Sequence, residues 1–158
     1  MMGERMKRIL NPWTGIKEYN CFGCSPDNPM GLHMQFFEDG DDVVCRWTPQ
    51  AQFQGWVNVM HGGILAALID ETCGWVVTRK CQTAGFTTAL NLRYKKKVSV
   101  TSEITIRARV KRQVRNLVFI DAELSDGEDV CTTGEATYFL MDNDRSRAMG
   151  FRTCEVEE

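Results

Sequence analysis

Apolar side chains run almost without interruption along residues 61–77, HGGILAALIDETCGWVV. The segment contains no proline, and its alanines and leucines are good helix formers. We therefore predict a buried central helix of about four or five turns that begins at or near Gly62. Asp70 is a carboxylate in this apolar context, so it either finds hydrogen-bond donors in the fold or takes up a proton.

After this helix the chain changes to the alternating pattern of β-strands, in which apolar residues recur at every second position. The predicted strands are residues 87–94, 103–112, 117–124 and 130–140 after the helix, and 33–37 and 43–47 before it. Short polar gaps between the later strands indicate hairpin turns. Alternation with one polar face is typical of antiparallel strands, so we predict an α+β fold in which a sheet wraps around one helix.

Length and composition indicate one domain. The 158 residues are enough for a proper core. We place the domain at residues 20–141, after an extension of residues 1–19 with the spacing of a short amphipathic docking helix. A polar, loose tail covers residues 142–158.

Charge and hydropathy limit the partners. The net charge of −2 gives no reason to expect nucleic acid. No apolar run approaches the roughly 20 residues that span a bilayer, and the N-terminus lacks the apolar core of a signal peptide. We expect a cytoplasmic protein without a membrane partner. Its seven cysteines, an odd number, are then expected to be free thiols.

Cys21 and Cys24 form a CxxC pair in the turn-rich segment of residues 20–32, which we call the CxxC loop. A zinc site usually has four ligands, whereas no second CxxC follows and the chain has only two histidines, His33 and His61. We therefore expect a tight, cysteine-packed loop, no metal and no cofactor. A redox dithiol is not favoured either, because no strand precedes the pair and no clear helix follows it.

Three segments resemble a known family. The sequence QGWVNVMHGGILAALIDE (54–71) resembles the part of hotdog-fold acyl-CoA thioesterases, most closely the PaaI-like group, in which HGG begins the central helix and an acid follows on it. CFGCSPDNPMGL (21–32) and TALNLRYKKKV (88–98) resemble that group's early loop and the strand after its helix. The resemblance covers about residues 20–140. It implies the hotdog fold and hydrolysis of an acyl-CoA thioester by an Asp or Glu, without a metal.

The resemblance also implies roles for individual residues. Asp70 falls on the catalytic acid, and Gly62 on the glycine whose backbone N–H meets the thioester carbonyl. His61 falls on the histidine that supports this turn or the carbonyl. Thr87 falls nearest the hydroxyl position on the next strand, and Thr88 is one register step away.

Further residues are expected to bind the substrate. Gln54 matches a polar residue before HGG, and Gly55 stands where some members carry Asn, so Gln54 or Asn58 takes that role here. The three consecutive lysines are candidates for the CoA phosphates. The other substrate-binding candidates are Gly63, Glu71, Lys95, Lys96 and Lys97. Candidates for the acyl pocket are Phe53, Trp56, Met60, Trp75 and Phe86.

The same chemistry follows from the residues themselves. A helix N-terminus with two glycines offers free N–H groups and a positive dipole end to the thioester oxygen. Asp70 acts either as a general base on water or as a nucleophile that forms an anhydride. Gly62 and Asp70 lie about 12 Å apart along one helix, too far for one carbonyl to meet both. We therefore expect a homodimer, or a tetramer of two dimers, with each site shared between subunits.

Two other functions stay open at this point. A hotdog-fold hydratase or dehydratase needs a His and an acid poised over the acyl chain, and its usual signature, Asp before His, is absent. A non-catalytic acyl-CoA-binding regulator needs no Asp70 and usually brings a DNA-binding segment, for which the first 20 residues are too short. Thiol release from acyl-CoAs separates both from a thioesterase.

Overall fold

The computed structural model describes residues 5–158 and is built on one long helix. Helix α1 spans Gly62–Val76 and continues as a π-helical turn over Val77–Cys81. It begins with His61 as the N-cap and ends where Gln82 takes a left-handed conformation, with φ of 52°. The predicted helix is confirmed. Among the described residues, no helix is both long and apolar enough to cross a membrane.

A seven-stranded antiparallel sheet packs against α1. In chain order the strands are β1 (Lys7–Arg8), β2 (Phe37–Asp39), β3 (Asp42–Trp47), β4 (Gly85–Tyr94), β5 (Ile104–Val114), β6 (Leu117–Asp126) and β7 (Asp129–Leu140). Their spatial order is β1-β2-β3-β5-β6-β7-β4. The four strands predicted after the helix are confirmed, and so is the α+β architecture. β2 begins later than predicted, because residues 33–36 form an irregular segment that starts at His33 with φ of 51°.

The core lies between α1 and the sheet. Its largest fully buried side chains from these elements include Leu68, Ile69, Val76, Ile104, Ile106, Ile120 and Leu124. Each such aliphatic side chain stabilises the fold by about 1.5–3 kcal/mol. The other side of α1, which carries Gly63, Ala66, Asp70 and Gly74, is half-buried or exposed. We expected a helix enclosed all round, but one chain covers only one side of it.

Strand β4 forms one edge of the sheet and, within residues 5–158, pairs only with β7. It is ten residues long, and four consecutive residues near its start, 86–89, are exposed. Among them is the large apolar side chain of Phe86, which is 58% exposed. A long edge strand of this kind is a ready template for pairing with another chain.

Both ends of the domain differ from the sequence-based expectation. Residues 5–19 form β1 and a series of turns instead of a docking helix, and residues 1–4 lie outside the described part. The C-terminal segment is not loose: it contains helix α2 (Asn143–Ala148), and Phe151 and Cys154 beyond it are buried. Arg79 and Gln82 both donate hydrogen bonds to the Cys154 carbonyl, which ties this segment to the end of α1.

The docked C-terminal segment predicts a stability difference between two neighbouring substitutions. Phe151 is 3% exposed and packs against the ring of Trp13 at 5.6 Å between centroids, whereas Met149 is 49% exposed. Phe151→Ala should lower the free energy of unfolding by about 3–5 kcal/mol, because it opens a cavity. Met149→Ala should change it by about 0.5 kcal/mol or less. Chemical denaturation measures both, and equal effects would mean that the segment does not pack as described.

Candidate active site

Asp70 finds hydrogen-bond donors on two neighbouring strands. Thr87 Oγ1 on β4 donates to Asp70 Oδ1 over 2.9 Å. The Tyr138 hydroxyl on β7 lies 2.7 Å from the same oxygen and 2.7 Å from the Asp70 backbone carbonyl, so its single proton is shared between two acceptors. Asp70 Oδ2 accepts no hydrogen bond from residues 5–158 and therefore stays available to a water molecule or a ligand.

Tyr138 is a site residue that the sequence analysis missed. It is 4% exposed, and burial raises the pKa of its phenol, with the Asp70 carboxylate adding to the shift. The phenol therefore stays protonated and can donate. Gly74, one turn after Asp70, makes room for it, because a Cβ there would lie 3.3 Å from the Tyr138 oxygen. Tyr138 could have been found from its pairing with Thr87 across the sheet, but that pairing is known only once the register of the strands is known.

The structure distinguishes between Thr87 and Thr88, the two candidates for the hydroxyl position on β4. A bulge interrupts the pairing of β4 with β7 between Thr87 and Ala89. Thr88 Oγ1 donates to the Thr137 backbone carbonyl over 3.1 Å and does not reach Asp70. Thr87 is thus the threonine that the fold brings to the carboxylate.

The N-terminus of α1 carries one occupied and one free N–H group. His61 Nδ1 accepts the Gly63 N–H over 2.9 Å, which fixes the imidazole as the helix cap. The Gly62 N–H has no partner among residues 5–158, and the Gly62 carbonyl accepts from the Tyr94 hydroxyl over 2.8 Å. A pocket of about 420 Å³ opens here, lined by Gly55, Trp56, Met60, His61 and Gly62. The free N–H at the positive end of the helix dipole suits an oxygen with developing negative charge.

Gln54 and Asn58 shape the turn that leads to this pocket. Gln54 Oε1 accepts the Asn58 backbone N–H over 3.1 Å, so part of its amide is used within the turn. Asn58 adopts a left-handed conformation, with φ of 62°, and its carbonyl accepts from Val100. Both side chains belong to exposed residues next to the helix N-terminus, where the sequence analysis expected polar contacts to the substrate.

The three consecutive lysines lie near the N-terminus of α1. Lys95, Lys96 and Lys97 are exposed and directly follow Tyr94, the β4 residue that contacts Gly62. Lys96 pairs with Asp129 at the surface over 2.8 Å, an exposed ion pair that adds little to stability. The basic run therefore lies at the end of α1 that carries the free N–H.

Glu71 is not part of this site, contrary to its assignment as a substrate-binding candidate. It points to the CxxC loop, where its Oε1 accepts from Trp75 Nε1 over 3.2 Å. Burial raises the pKa of Glu71 to about 7, and Cys21 adds to the shift. Trp75 is core, stacked on Phe36 at 4.7 Å. Among the acyl-pocket candidates, Met60 is also buried and Phe53 packs on Trp47, while Trp56 and Phe86 are exposed.

One chain thus carries two separate half-sites on the same helix. The first is the free Gly62 N–H with its pocket, and the second is Asp70 with its two hydroxyl donors. Helix α1 runs unbroken between them, which holds them about 12 Å apart along its axis. A single carbonyl group therefore cannot contact both half-sites of one chain.

Comparisons with known proteins find similarity to one superfamily and its fold. A model of the thioesterase superfamily matches residues 57–133, which contain α1 with Gly62 and Asp70 but end before Tyr138. The structure of zebra fish thioesterase superfamily member 2 superposes with a TM-score of 0.65 at 22% identity, covering 73% of this chain and 89% of that one. A hypothetical thioesterase from Streptococcus pneumoniae, solved with coenzyme A, gives 0.61 at 22% identity over 64% and 82%. These likenesses confirm the predicted hotdog fold.

Curated relatives point the same way. The acyl-coenzyme A thioesterase THEM4 of Rattus norvegicus is 24% identical over 105 residues, and that of Bos taurus is 23% identical over 124 residues. These matches cover 65% and 76% of this chain, but the chain spans only about half the length of these relatives, 45% and 51%. This chain is thus similar to the thioesterase superfamily over residues 57–133.

The hydrogen bonds around Asp70 predict an energetic coupling. Tyr138→Phe removes one hydroxyl and keeps the ring, so it should lower the free energy of unfolding by about 1.5–3 kcal/mol, as for hydrogen bonds to charged groups. In an Asp70→Ala background the same substitution should lower the free energy of unfolding by clearly less, because the carboxylate that accepts the hydrogen bond is gone. Tyr94→Phe is the matched control, and its cost should not depend on Asp70. A Tyr138→Phe cost that is equal in both backgrounds contradicts the described contact.

Proposed function

We propose that this chain is an acyl-CoA thioesterase of the PaaI-like group, which hydrolyses an acyl-CoA to the free acid and CoA. The observation that carries the proposal is the half-buried Asp70, fixed through Oδ1 by Thr87 and Tyr138 while Oδ2 stays open. A carboxylate that is oriented through one oxygen and open at the other is arranged to take a proton or to attack.

The residues support two routes for the reaction. In the first, Asp70 Oδ2 takes a proton from water, and the water oxygen attacks the thioester carbonyl carbon. In the second, Asp70 Oδ2 attacks that carbon itself and forms an anhydride, which water then cleaves. Both routes place negative charge on the carbonyl oxygen and expel the CoA thiolate, and the Gly62 N–H stabilises that oxygen. Thr87 and Tyr138 hold the carboxylate in place on either route.

We further propose that each active site joins Asp70 of one subunit to Gly62 of another. Three observations support a two-fold dimer: the separation of about 12 Å on α1, the exposed edge of β4, and the partly uncovered side of the helix around Asp70. Pairing of two β4 edges would cover Phe86 and continue the sheet. Two such dimers can associate further into a tetramer.

The position of the lysine run supports CoA as the leaving group. Residues 95–97 carry three positive charges at the end of α1 where the proposed carbonyl site lies. Lysine binds phosphate as a point charge, and CoA carries several phosphate oxygens. The exposed Trp56 beside the Gly62 pocket offers apolar surface to the rest of the ligand.

Replacement of Asp70 should abolish turnover. Asp70→Asn keeps the size of the side chain but cannot act as a base or nucleophile, so kcat/KM for acyl-CoA hydrolysis should fall by about a hundredfold or more. Thiol release is measured with a panel of short, long and aromatic acyl-CoAs. Asp144→Asn, an exposed aspartate on α2, is the matched control and should keep full activity.

The same panel separates the alternatives. Turnover that survives Asp70→Asn removes this residue from the chemistry. No release from any acyl-CoA, combined with tight binding of one of them, favours an acyl-CoA-binding protein. Addition of water to an enoyl-CoA without thiol release favours a hydratase.

A complementation experiment tests the shared site. Gly62→Pro removes the free N–H, and the structure can accept it, because Gly62 is the first helical residue and His61 has the extended conformation (φ −63°, ψ 129°) that precedes proline. Gly62→Ala keeps the N–H and is the control. Homodimers of Asp70→Asn or of Gly62→Pro should be inactive. A heterodimer with one chain of each kind should regain about half of the wild-type activity, because one of its two sites is intact.

The heterodimer is isolated by co-expression of the two chains with different affinity tags. If each site lay within one chain, both sites of the heterodimer would carry a defect and no activity would return. A protein that is monomeric at working concentration would also contradict the shared site.

A further inference from the structure

A second cluster of reactive side chains lies on the other side of α1 from the Asp70 site. The two sulfurs of the CxxC loop, Cys21 and Cys24, meet the Glu71 carboxylate, and the three ligand atoms all lie within 4.8 Å of one another. Cys24 is buried, and Cys21 and Glu71 are half-buried. The proposed hydrolysis uses none of these groups.

We propose that Cys21, Cys24 and Glu71 bind a zinc ion, with the fourth coordination position left to water. Thiolate sulfur and carboxylate oxygen are both common zinc ligands. At bond lengths of about 2.3 Å to sulfur and 2.0–2.2 Å to oxygen, tetrahedral ligand atoms lie about 3.5–3.8 Å apart. Three atoms already within 4.8 Å reach this spacing by small side-chain rotations.

Hydrogen-bond donors already surround the proposed ligands. The Tyr19 hydroxyl lies 2.8 Å from Cys24 Sγ and accepts a hydrogen bond from Asn11 Nδ2 over 3.0 Å, which leaves the phenol proton free to point at the sulfur. Partners of this kind orient the ligands of a metal site.

The Glu71 carboxylate is also held by hydrogen-bond donors, and it lies close to the backbone of the CxxC loop. Trp75 Nε1 donates to Glu71 Oε1 over 3.2 Å, and Cys21 Sγ lies 3.4 Å from the same oxygen. Gly23 allows this approach, because a Cβ at that position would lie 2.6 Å from Glu71 Oε2. A glycine between the two cysteines thus lets the loop close onto the helix carboxylate.

Electrostatics favours a cation at this point. Two sulfurs and a carboxylate converge, and no Lys or Arg within residues 5–158 pairs with Glu71. Without a cation some of these groups have to retain protons, because three neighbouring anions away from water repel one another. Zinc binding displaces those protons and neutralises the charge. A pocket of about 400 Å³ that borders Cys24 and Trp75 offers a route for the ion.

This inference revises the expectation of a metal-free CxxC loop. The sequence showed two ligands and no second CxxC or nearby histidine pair, which argued against zinc. The third ligand comes from the helix, 50 residues after Cys21, and its approach depends on the fold. The proposal does not rest on thioesterase activity, and its test uses metal content and stability.

The first experiment measures zinc in the reduced protein. The full chain, purified with reductant and then dialysed against zinc, should hold about one equivalent by elemental analysis. With cobalt in place of zinc, a thiolate-to-metal charge-transfer band should appear. Zinc should also raise the melting temperature, since an ion that binds only the folded state stabilises it.

Single substitutions identify the ligands. Cys21→Ser, Cys24→Ser and Glu71→Gln should each weaken zinc binding by about tenfold or more, and the cysteine variants should lose intensity in the cobalt charge-transfer band. Cys81→Ser, a half-buried cysteine of the π-helical turn, is the matched control and should bind zinc like the wild type. Circular dichroism establishes that each variant is folded.

Two outcomes overturn the proposal. One is zinc that binds equally well to the wild type and to the folded Cys21→Ser, Cys24→Ser and Glu71→Gln variants. The other is a reduced wild type that takes up no zinc while air oxidation removes two of the seven thiols found in the denatured protein. That result would identify Cys21 and Cys24 as a redox pair.

Discussion

The burial of one side of α1 against the sheet determines most of what this molecule can do. Leu68, Ile69 and Val76 have no exposed surface, and the strands on either side of them complete the core. The opposite side of the same helix is poor in large side chains and is only partly covered by the chain. Asp70 lies on that side, which is why a carboxylate on an apolar helix reaches two hydroxyls from the strands and keeps one oxygen open.

Asp70 and Glu71 show how strongly the helix separates adjacent residues. Consecutive positions on an α-helix point about 100° apart. Asp70 therefore faces β4 and β7, where hydroxyl groups stabilise it, whereas Glu71 faces the CxxC loop, where burial raises its pKa to about 7. Two carboxylates that adjoin in sequence thus have different environments and different chemistry. The sequence analysis made Glu71 a candidate for the substrate site, although the helical angle alone argued against it.

The sequence predicted the parts of the fold that have a regular period. The helix from Gly62 and the four later strands follow from spacings of 3.6 and 2 residues, and the HGG motif located the helix N-terminus. Tyr138 could not be predicted, because its contact with Asp70 depends on the register of β7 against β4 and on the small residue Gly74. The helix predicted for the N-terminal extension was wrong, because its apolar spacing is met by β1 and turns instead. The loose C-terminal tail was wrong as well, since Phe151 is buried through contacts with residues far away in sequence.

The separation of the half-sites has a further consequence for the reaction. In one chain Thr87 is exposed and Asp70 only half-buried, so bulk water would weaken any charge stabilisation at this point. A second subunit against β4 would supply the missing Gly62 N–H and exclude most of that water in the same step. Electrostatic stabilisation of an oxyanion is strongest in such a water-poor site with fixed donors. Association of two chains would then complete the machinery and also create the environment in which it works.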